Sequence, residues 1–373
     1  MPSPTPRRTL PSALGAAAGA TALGATALAL HVRSQMGASR RALHAAAATS
    51  PHARDGIFSN TESGRPRERT SIRTATRMIL RRNENGVPHE PVQPATPHFP
   101  PRAAPLAVTW LGHACVLLEI DGRRVLVDPV WSERTSPVPL LGPRRLYPMP
   151  APLSALPQVD LVLLTHDHYD HLDRRTVRAL ARDSSATFVA PVGVGEHLRA
   201  WGVPEQRVVT RDWGGRTEVG ELALTCLEAR HFSGRGLRRN TSQWAAWAVA
   251  GPQHRVYVGG DTGPTAAFAR SGAAHGPFDL TVLPIGAYSD LWPDIHLDPE
   301  QAVSGHRDLR GDVLLPIHWA TFNLGFHGWS EPGERLRRAA DAAGVRLALP
   351  RPGERVDLAA PLHSAPWWST PER

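Results

Sequence analysis

Leu163-Leu164-Thr165-His166-Asp167-His168-Tyr169-Asp170-His171-Leu172-Asp173 is the stretch on which the reading of this 373-residue chain turns. Ahead of it, Val159–Leu164 is a continuous apolar run, the pattern of a strand buried on both faces. Behind it, Leu172–Arg182 has helical spacing, with Asp173 near its start. Three histidines and two carboxylates therefore fall within residues 166–171, where the chain leaves a sheet for a helix. Alternate side chains at a strand end, such as His166 and His168, face the same side. As the backbone then turns, Asp170 and His171 can face a second point close by. Imidazole and carboxylate donors of this kind suit Zn²⁺ and, less selectively, Mn²⁺ or Fe²⁺. A chance cluster of surface histidines is the competing explanation, and the downstream sequence argues against it.

His231 follows the apolar run Leu222–Leu227, within Ala229-Arg230-His231-Phe232-Ser233-Gly234-Arg235-Gly236. Asp261 ends another run in Val256-Tyr257-Val258-Gly259-Gly260-Asp261-Thr262-Gly263, and His318 ends a third in Leu314-Leu315-Pro316-Ile317-His318-Trp319. Taken alone, each is more often structural than functional. Following the first cluster in this order, each reads as a ligand projecting from a strand end into a cleft. The rest of the body alternates short apolar runs with turns. Ala107–Trp110 and Cys115–Ile120 read as strands, and Asp121-Gly122 makes a hairpin turn into Arg124–Val127. Phe188–Ala190, Trp244–Val249, Arg255–Val258 and Leu280–Leu283 continue the strands, while Pro299–His306 and Glu334–Ala343 read as helices. The pattern implies a layered α/β body with two sheets inside helices.

The ligand order resembles the H-x-H-x-D-H signature of the metallo-β-lactamase superfamily, which implies a four-layer αββα sandwich. By that resemblance His166, His168 and His231 hold one metal, Asp170, His171 and His318 hold a second, and Asp261 bridges them. The expected cofactor is two Zn²⁺, with Mn²⁺ or Fe²⁺ as alternatives. Two dications sharing a carboxylate lower the pKa of a water and stabilise the charge that develops when it attacks. Neither cysteine stands at a ligand position, which weakens β-lactam hydrolysis and favours phosphodiester or other ester chemistry.

Further motifs resemble the N-acyl-phosphatidylethanolamine-hydrolysing phospholipase D family. They are Trp110-Leu111-Gly112-His113-Ala114, Asp128-Pro129-Val130-Trp131-Ser132-Glu133-Arg134 and Gly142-Pro143-Arg144-Arg145. Leu283-Pro284-Ile285-Gly286-Ala287-Tyr288, His296-Leu297-Asp298-Pro299-Glu300-Gln301-Ala302 and His318-Trp319-Ala320-Thr321-Phe322 complete the set. The resemblance spans residues 106–357 and implies hydrolysis to N-acylethanolamine and phosphatidic acid. Asp170, Asp261 and His296 are then the expected catalytic residues. His296 matches a functional histidine of that family and is assigned to phosphate binding or proton transfer, with Tyr288 beside the substrate. His113 is either a support for the ligands or a structural hydrogen-bonding group. Residues 289–295 depart from the family pattern, as do residues 323–330, and both should border the substrate entrance. A lactonase or small-molecule phosphoesterase of the same superfamily is the alternative, because sites of this kind serve many chemistries.

The formal charge of +8 points first to nucleic acid or an anionic membrane. Residues 1–105 carry 14 Arg against 5 acidic residues, a balance of +9, whereas residues 106–373 balance at −1. The basicity belongs to an arm, and a neutral body offers no track leading nucleic acid into the cleft. Nucleic-acid binding through the arm is the alternative of another class. All 42 basic residues are arginine, which together with abundant Ala, Gly and Pro reads as nucleotide composition. Within the arm, residues 9–32 lack Arg, Asp and Glu and are long enough to span a bilayer, yet hold few leucines. An anchor, an export signal following Arg7-Arg8, and a low-complexity tail all remain open for residues 1–50. Association with an anionic membrane through this arm is the expected localisation. Residues 51–105 read as an Arg- and Pro-rich linker, with a short helix at Ile72–Leu80, and the catalytic domain as 106–373. Cys115 and Cys226 lie in apolar runs and read as reduced core residues.

Overall fold

A computed structural model describes residues 13–64, 84–236, 238–362 and 365–368, with side chains from 24 onward in the first helix. Ile72–Leu80 and Arg7-Arg8 lie outside the described residues. The body contains two seven-stranded mixed sheets. The first runs, edge to edge, Arg355–Asp357, Leu106–Gly112, Cys115–Ile120, Arg123–Val127, Leu161–Leu163, Thr187–Pro191 and Val208–Arg211. The second runs Arg346–Leu347, Gly311–Ile317, Phe278–Pro284, Arg255–Val258, Ala246–Ala250, Leu222–Leu227 and Arg216–Val219.

Each sheet is antiparallel in one half and parallel in the other. The parallel halves need crossovers, and helices supply all but the one from Val127 to Leu161, which runs through loops and the short 3-10 turn Leu153–Ala155. Arg174–Asp183 and Val194–Ala200 serve the first sheet, and Ala267–His275, Pro299–Asp308 and Glu331–Ala343 the second.

The period-two alternation of the strands sorts side chains between layers. Val116, Leu118 and Ile120 join Leu224, Val249 and Val256 in the core between the sheets. Their neighbours Cys115 and Leu117 face Val177, Leu180 and Leu198 of the helices outside the first sheet. This is the four-layer αββα sandwich expected from the sequence. Both cysteines are buried and free. Burying this apolar surface is the main stabilising term, at roughly 25 cal/mol per Å² removed from water.

Several element ends differ from the sequence reading for local reasons. The helix after the histidine cluster starts at Arg174 because Asp173 caps it. The Asp173 carboxylate accepts from Arg175 N, Ser132 N and Thr176 Oγ1. Strand Ala246–Ala250 begins later than Trp244 because Ala245 N donates to Thr165 O, tying the two sheets together. The last helix begins at Glu331 since Pro332 is tolerated in a first turn.

N-terminal to the sheets, Ala13–Met36 is helical, but no helix among the described residues is long and apolar enough to cross a membrane. Its C-terminal carbonyls are held by the body. Trp201 Nε1 donates to Ser34 O, and the buried Arg235 guanidinium donates to Gln35 O. Beyond helix Arg40–Ala47, Ser50 and His52 both hydrogen-bond Asp212, and the fully buried Phe58 enters the inter-sheet core. Residues 43–64 thus pack against a body that the sequence divided from them.

Candidate metal centre

The candidate ligands come from strand ends at one edge of the sandwich, where an open α/β sheet places its functional groups. Leu161–Leu163 delivers His166 and His168, Arg255–Val258 delivers Asp261, Gly311–Ile317 delivers His318, and Leu222–Leu227 leads to His231. The backbone there is forced. His113, Asp128, Ala287, His318 and Ala320 all adopt positive φ, between 40° and 63°. Left-handed conformations at non-glycine residues are costly and cluster at functional sites. Gly260, beside Asp261, also has positive φ, and a Cβ there would lie 2.6 Å from Thr165 Cβ.

Asp261 Oδ2 is the centre of the cluster. It lies 3.0 Å from His318 Nε2, 3.2 Å from His171 Nε2, 3.6 Å from His231 Nε2 and 3.9 Å from His166 Nε2. On one side, His166 Nε2 and His231 Nε2 approach His168 Nδ1 at 2.9 and 3.3 Å. On the other, Asp170 Oδ2 meets His113 Nε2 at 2.9 Å, His318 Nε2 at 3.3 Å and His171 Nε2 at 3.8 Å. Three overlapping sets of potential ligand atoms result among the described residues, His166/His168/His231/Asp261, His113/Asp170/His171/His318 and Asp261/His296/His318, each within 4.8 Å of one another.

All seven residues read as ligands from the sequence are brought together. His296 joins them, its Nδ1 3.9 Å from Asp261 Oδ2 and its ring stacked on His318. Tyr288 stands apart. Its hydroxyl donates to Glu331, and its ring stacks on His327.

Three of the rings are fixed from behind. His166 Nδ1 meets Thr165 Oγ1 at 3.0 Å, His171 Nδ1 meets Asp128 Oδ2 at 2.8 Å, and His231 Nδ1 meets the Ile295 carbonyl at 3.1 Å. A histidine whose far nitrogen is engaged presents a defined nitrogen to a metal. Asp128 also accepts from Thr165 N and Thr165 Oγ1, so one buried carboxylate organises the strand end. Asp167, between two candidate ligands, points the other way and accepts from Gly234 N and Ser242 Oγ. His113 turns out to be a partner of Asp170. Its own backbone N–H donates to Thr321 Oγ1.

Electrostatics divides the cluster. Burial, with the neighbouring His171, His168 and His231 rings, holds His166 well below the usual imidazole range. Burial does the same to His231 and takes His296 and His113 to about 3. Burial also pulls on His171 and His318, but Asp261 and Asp170 outweigh it, holding His171 well above the imidazole range and His318 at about 9. Burial pushes Asp261 up, and His171 and His318 bring it well below the carboxylate range.

These residues fit divalent cations. Neutral imidazoles and ionised carboxylates are the protonation states that bind metal, and on His171 and His318 a cation would take the place of the proton that Asp261 and Asp170 hold there. Asp261 Oδ1, His171 Nε2 and His296 Nδ1 are buried without a hydrogen-bond partner among the described residues. Such groups are rare unless something else satisfies them.

Comparison with known proteins agrees with this geometry. The family model for the beta-lactamase superfamily domain matches residues 123–319, more than half of the chain. The chain belongs to the beta-lactamase superfamily. It is a metal-dependent hydrolase of that superfamily, with the two-sheet sandwich of its metallo-β-lactamase members. An uncharacterized protein of Mycobacterium tuberculosis is 50% identical over 339 residues, covering 89% of this chain and 91% of the relative. N-acyl-phosphatidylethanolamine-hydrolyzing phospholipase D 1 of Caenorhabditis elegans is 36% identical over 250 residues, covering 64% of this chain and 70% of the relative. Among solved structures, a metallo hydrolase of the archaeon Ignicoccus hospitalis shares the fold, with TM-score 0.51 and 24% identity. It covers 67% of this chain and 97% of that one.

Proposed function

We propose that this superfamily member binds two divalent cations, Zn²⁺ foremost, and cleaves N-acyl-phosphatidylethanolamine-like phospholipids to N-acylethanolamine and phosphatidic acid. The observation that carries the reading is Asp261, whose one buried oxygen faces both histidine groups as a ligand shared by two cations must. His166, His168 and His231 would hold one ion, Asp170, His171 and His318 the other, and Asp261 both. When bound, such a pair supplies Lewis acidity and a water that ionises near neutral pH. Asp128, Thr165 and the Ile295 carbonyl orient three of the rings, and His113 holds Asp170. His296, stacked on His318 beside Asp261 and kept neutral by its burial, would orient the phosphate or relay a proton to the leaving amino-alcohol oxygen. Tyr288, with its hydroxyl committed to Glu331 and its ring packed by His327 and Arg335, would meet substrate through its ring edge.

The likeness to the Caenorhabditis elegans phospholipase supports the lipid substrate. Arg33, Arg40 and Arg41 around the end of the first helix support contact with an anionic membrane surface. The test is the metal-loaded, full-length protein on vesicles containing N-acyl-phosphatidylethanolamine. Phosphatidic acid and N-acylethanolamine should form, and a chelator should stop both. Turnover of bis(p-nitrophenyl) phosphate or a lactone by the same preparation, with no lipid product, would overturn the substrate and leave the metal centre standing.

A further inference from the structure

The family match begins at residue 123, yet one backbone in the candidate metal centre is held from residue 60. His231 lies just beyond strand Leu222–Leu227, so no ladder supplies partners for its peptide groups. The residue is buried, and an unpaired N–H or C=O there would be costly. Both groups are met by one side chain. Asn60 Nδ2 donates to the His231 carbonyl at 2.9 Å, and the His231 N–H donates to Asn60 Oδ1 at 3.1 Å. The paired bonds imitate a β-ladder and leave the His231 backbone little freedom.

The neighbours of Asn60 anchor the clamp. Phe58 is fully buried in the core, and its N–H donates to Asn240 O in the loop that follows His231. Arg230 donates to Ser63 O at 2.8 Å and to Pro264 O at 2.9 Å. Glu62 Oε1 accepts from Thr265 Oγ1 at 2.6 Å and Ala266 N at 2.9 Å, in the loop that follows Asp261. Residues 58–63 therefore clip together the two loops that carry His231 and Asp261.

We propose that Asn60 is a positioning residue of the metal centre, fixing the His231 backbone while the Ile295 carbonyl fixes its ring. Together they set Nε2 at its place 3.3 Å from His168 Nδ1 and 3.6 Å from Asp261 Oδ2. This rests on the reading of His231 as a ligand.

The experiment is a chelator-competition titration of Zn²⁺ into full-length wild type, Asn60→Ala, Asn60→Asp, Ser50→Ala and His231→Ala, with Co²⁺ absorption spectra in parallel. Asn60→Ala should weaken one of the two binding phases by about 10–100-fold, the usual effect of losing a group that supports a ligand. The phase of the Asp170/His171/His318 group should stay put. Asn60→Asp keeps the acceptor for the His231 N–H and loses the donor, so it should fall between and shift the Co²⁺ spectrum. Ser50→Ala removes a contact of the same segment with Asp212, and should lower Tm without moving either phase. Unchanged phases in both Asn60 variants would overturn the proposal. So would a uniform loss that Ser50→Ala reproduces at equal loss of Tm. An unchanged titration in His231→Ala would instead overturn the ligand reading beneath it.

Discussion

Asp128 is the sharpest place to perturb the centre without touching a residue assigned to the metals. Its carboxylate is fully buried and accepts from Thr165 N at 2.8 Å, Thr165 Oγ1 at 2.6 Å and His171 Nδ1 at 2.8 Å. Asp128→Ala strands three buried donors, each at about 1–3 kcal/mol. The summed loss approaches the whole stability of a typical domain, about 5–15 kcal/mol, so this variant should fold poorly. Asp128→Asn is the informative change. Its amide oxygen, in the place of Oδ1, can still serve Thr165 N, but its NH₂, in the place of Oδ2, then faces Thr165 Oγ1 and His171 Nδ1 and forces both to accept. The neutral, metal-binding ring, which in the wild type keeps its proton on Nδ1 for Asp128, would here keep it on Nε2, the atom that lies 3.2 Å from Asp261 Oδ2. A metal must then displace that proton. The expected cost is about 10–100-fold in affinity for one ion, or about 1.4–2.7 kcal/mol. The assay is metal titration against a calibrated chelator at fixed pH, with circular dichroism to confirm the fold. A folded Asn variant with wild-type affinity for both ions would refute the argument that Asp128 sets the His171 tautomer.

Other perturbations test separate links. Asp261→Ala or His168→Ala should remove bound metal and hydrolysis together, measured by elemental analysis and turnover. Gly260→Ala should lower Tm and metal content, because its positive φ and the contact with Thr165 leave no room for a methyl group. Phe58→Ala should cost about 3–5 kcal/mol in urea unfolding, a result expected only if the segment before the sheets is part of the folded body. Glu119 tests acid stability. Burial pushes its carboxyl up, but Arg355 and the Ala104 N–H outweigh that and hold it below the usual range. Its contribution is therefore complete above the unfolded carboxylate pKa of about 4.3 and is lost as pH falls through the lower folded value. Glu119→Gln should reduce the loss of unfolding free energy across that acid window, compared with wild type.

What the sequence revealed was whatever physics writes locally. The histidine cluster sits at a strand end, where alternation alone sends His166 and His168 one way and Asp167 the other. Asp121-Gly122 announces its hairpin because both residues must take positive φ, and they do, at 47° and 80°. Asp298-Pro299 announces a helix start, and a complete capping box forms there. Asp128 was harder to read, since an Asp-Pro pair after a strand signals a turn and says nothing of a histidine 43 positions on. Asn60 was out of reach. Its surroundings are polar and aperiodic, its partner is 171 residues away, and a long-range amide clamp leaves no local pattern. Short edge strands such as Arg216–Val219 escaped for a related reason. Four residues of alternating exposure carry too little periodicity to distinguish a strand from a loop.

The central claim is a shared carboxylate between two metals, and metal stoichiometry tests it most directly. Protein stripped with chelator, refilled with Zn²⁺ and desalted should retain about two equivalents per chain. Asp261→Ala should lose most of both, because its carboxylate serves the two histidine groups at once. A single equivalent in the wild type, or full retention of metal in Asp261→Ala, would contradict the account.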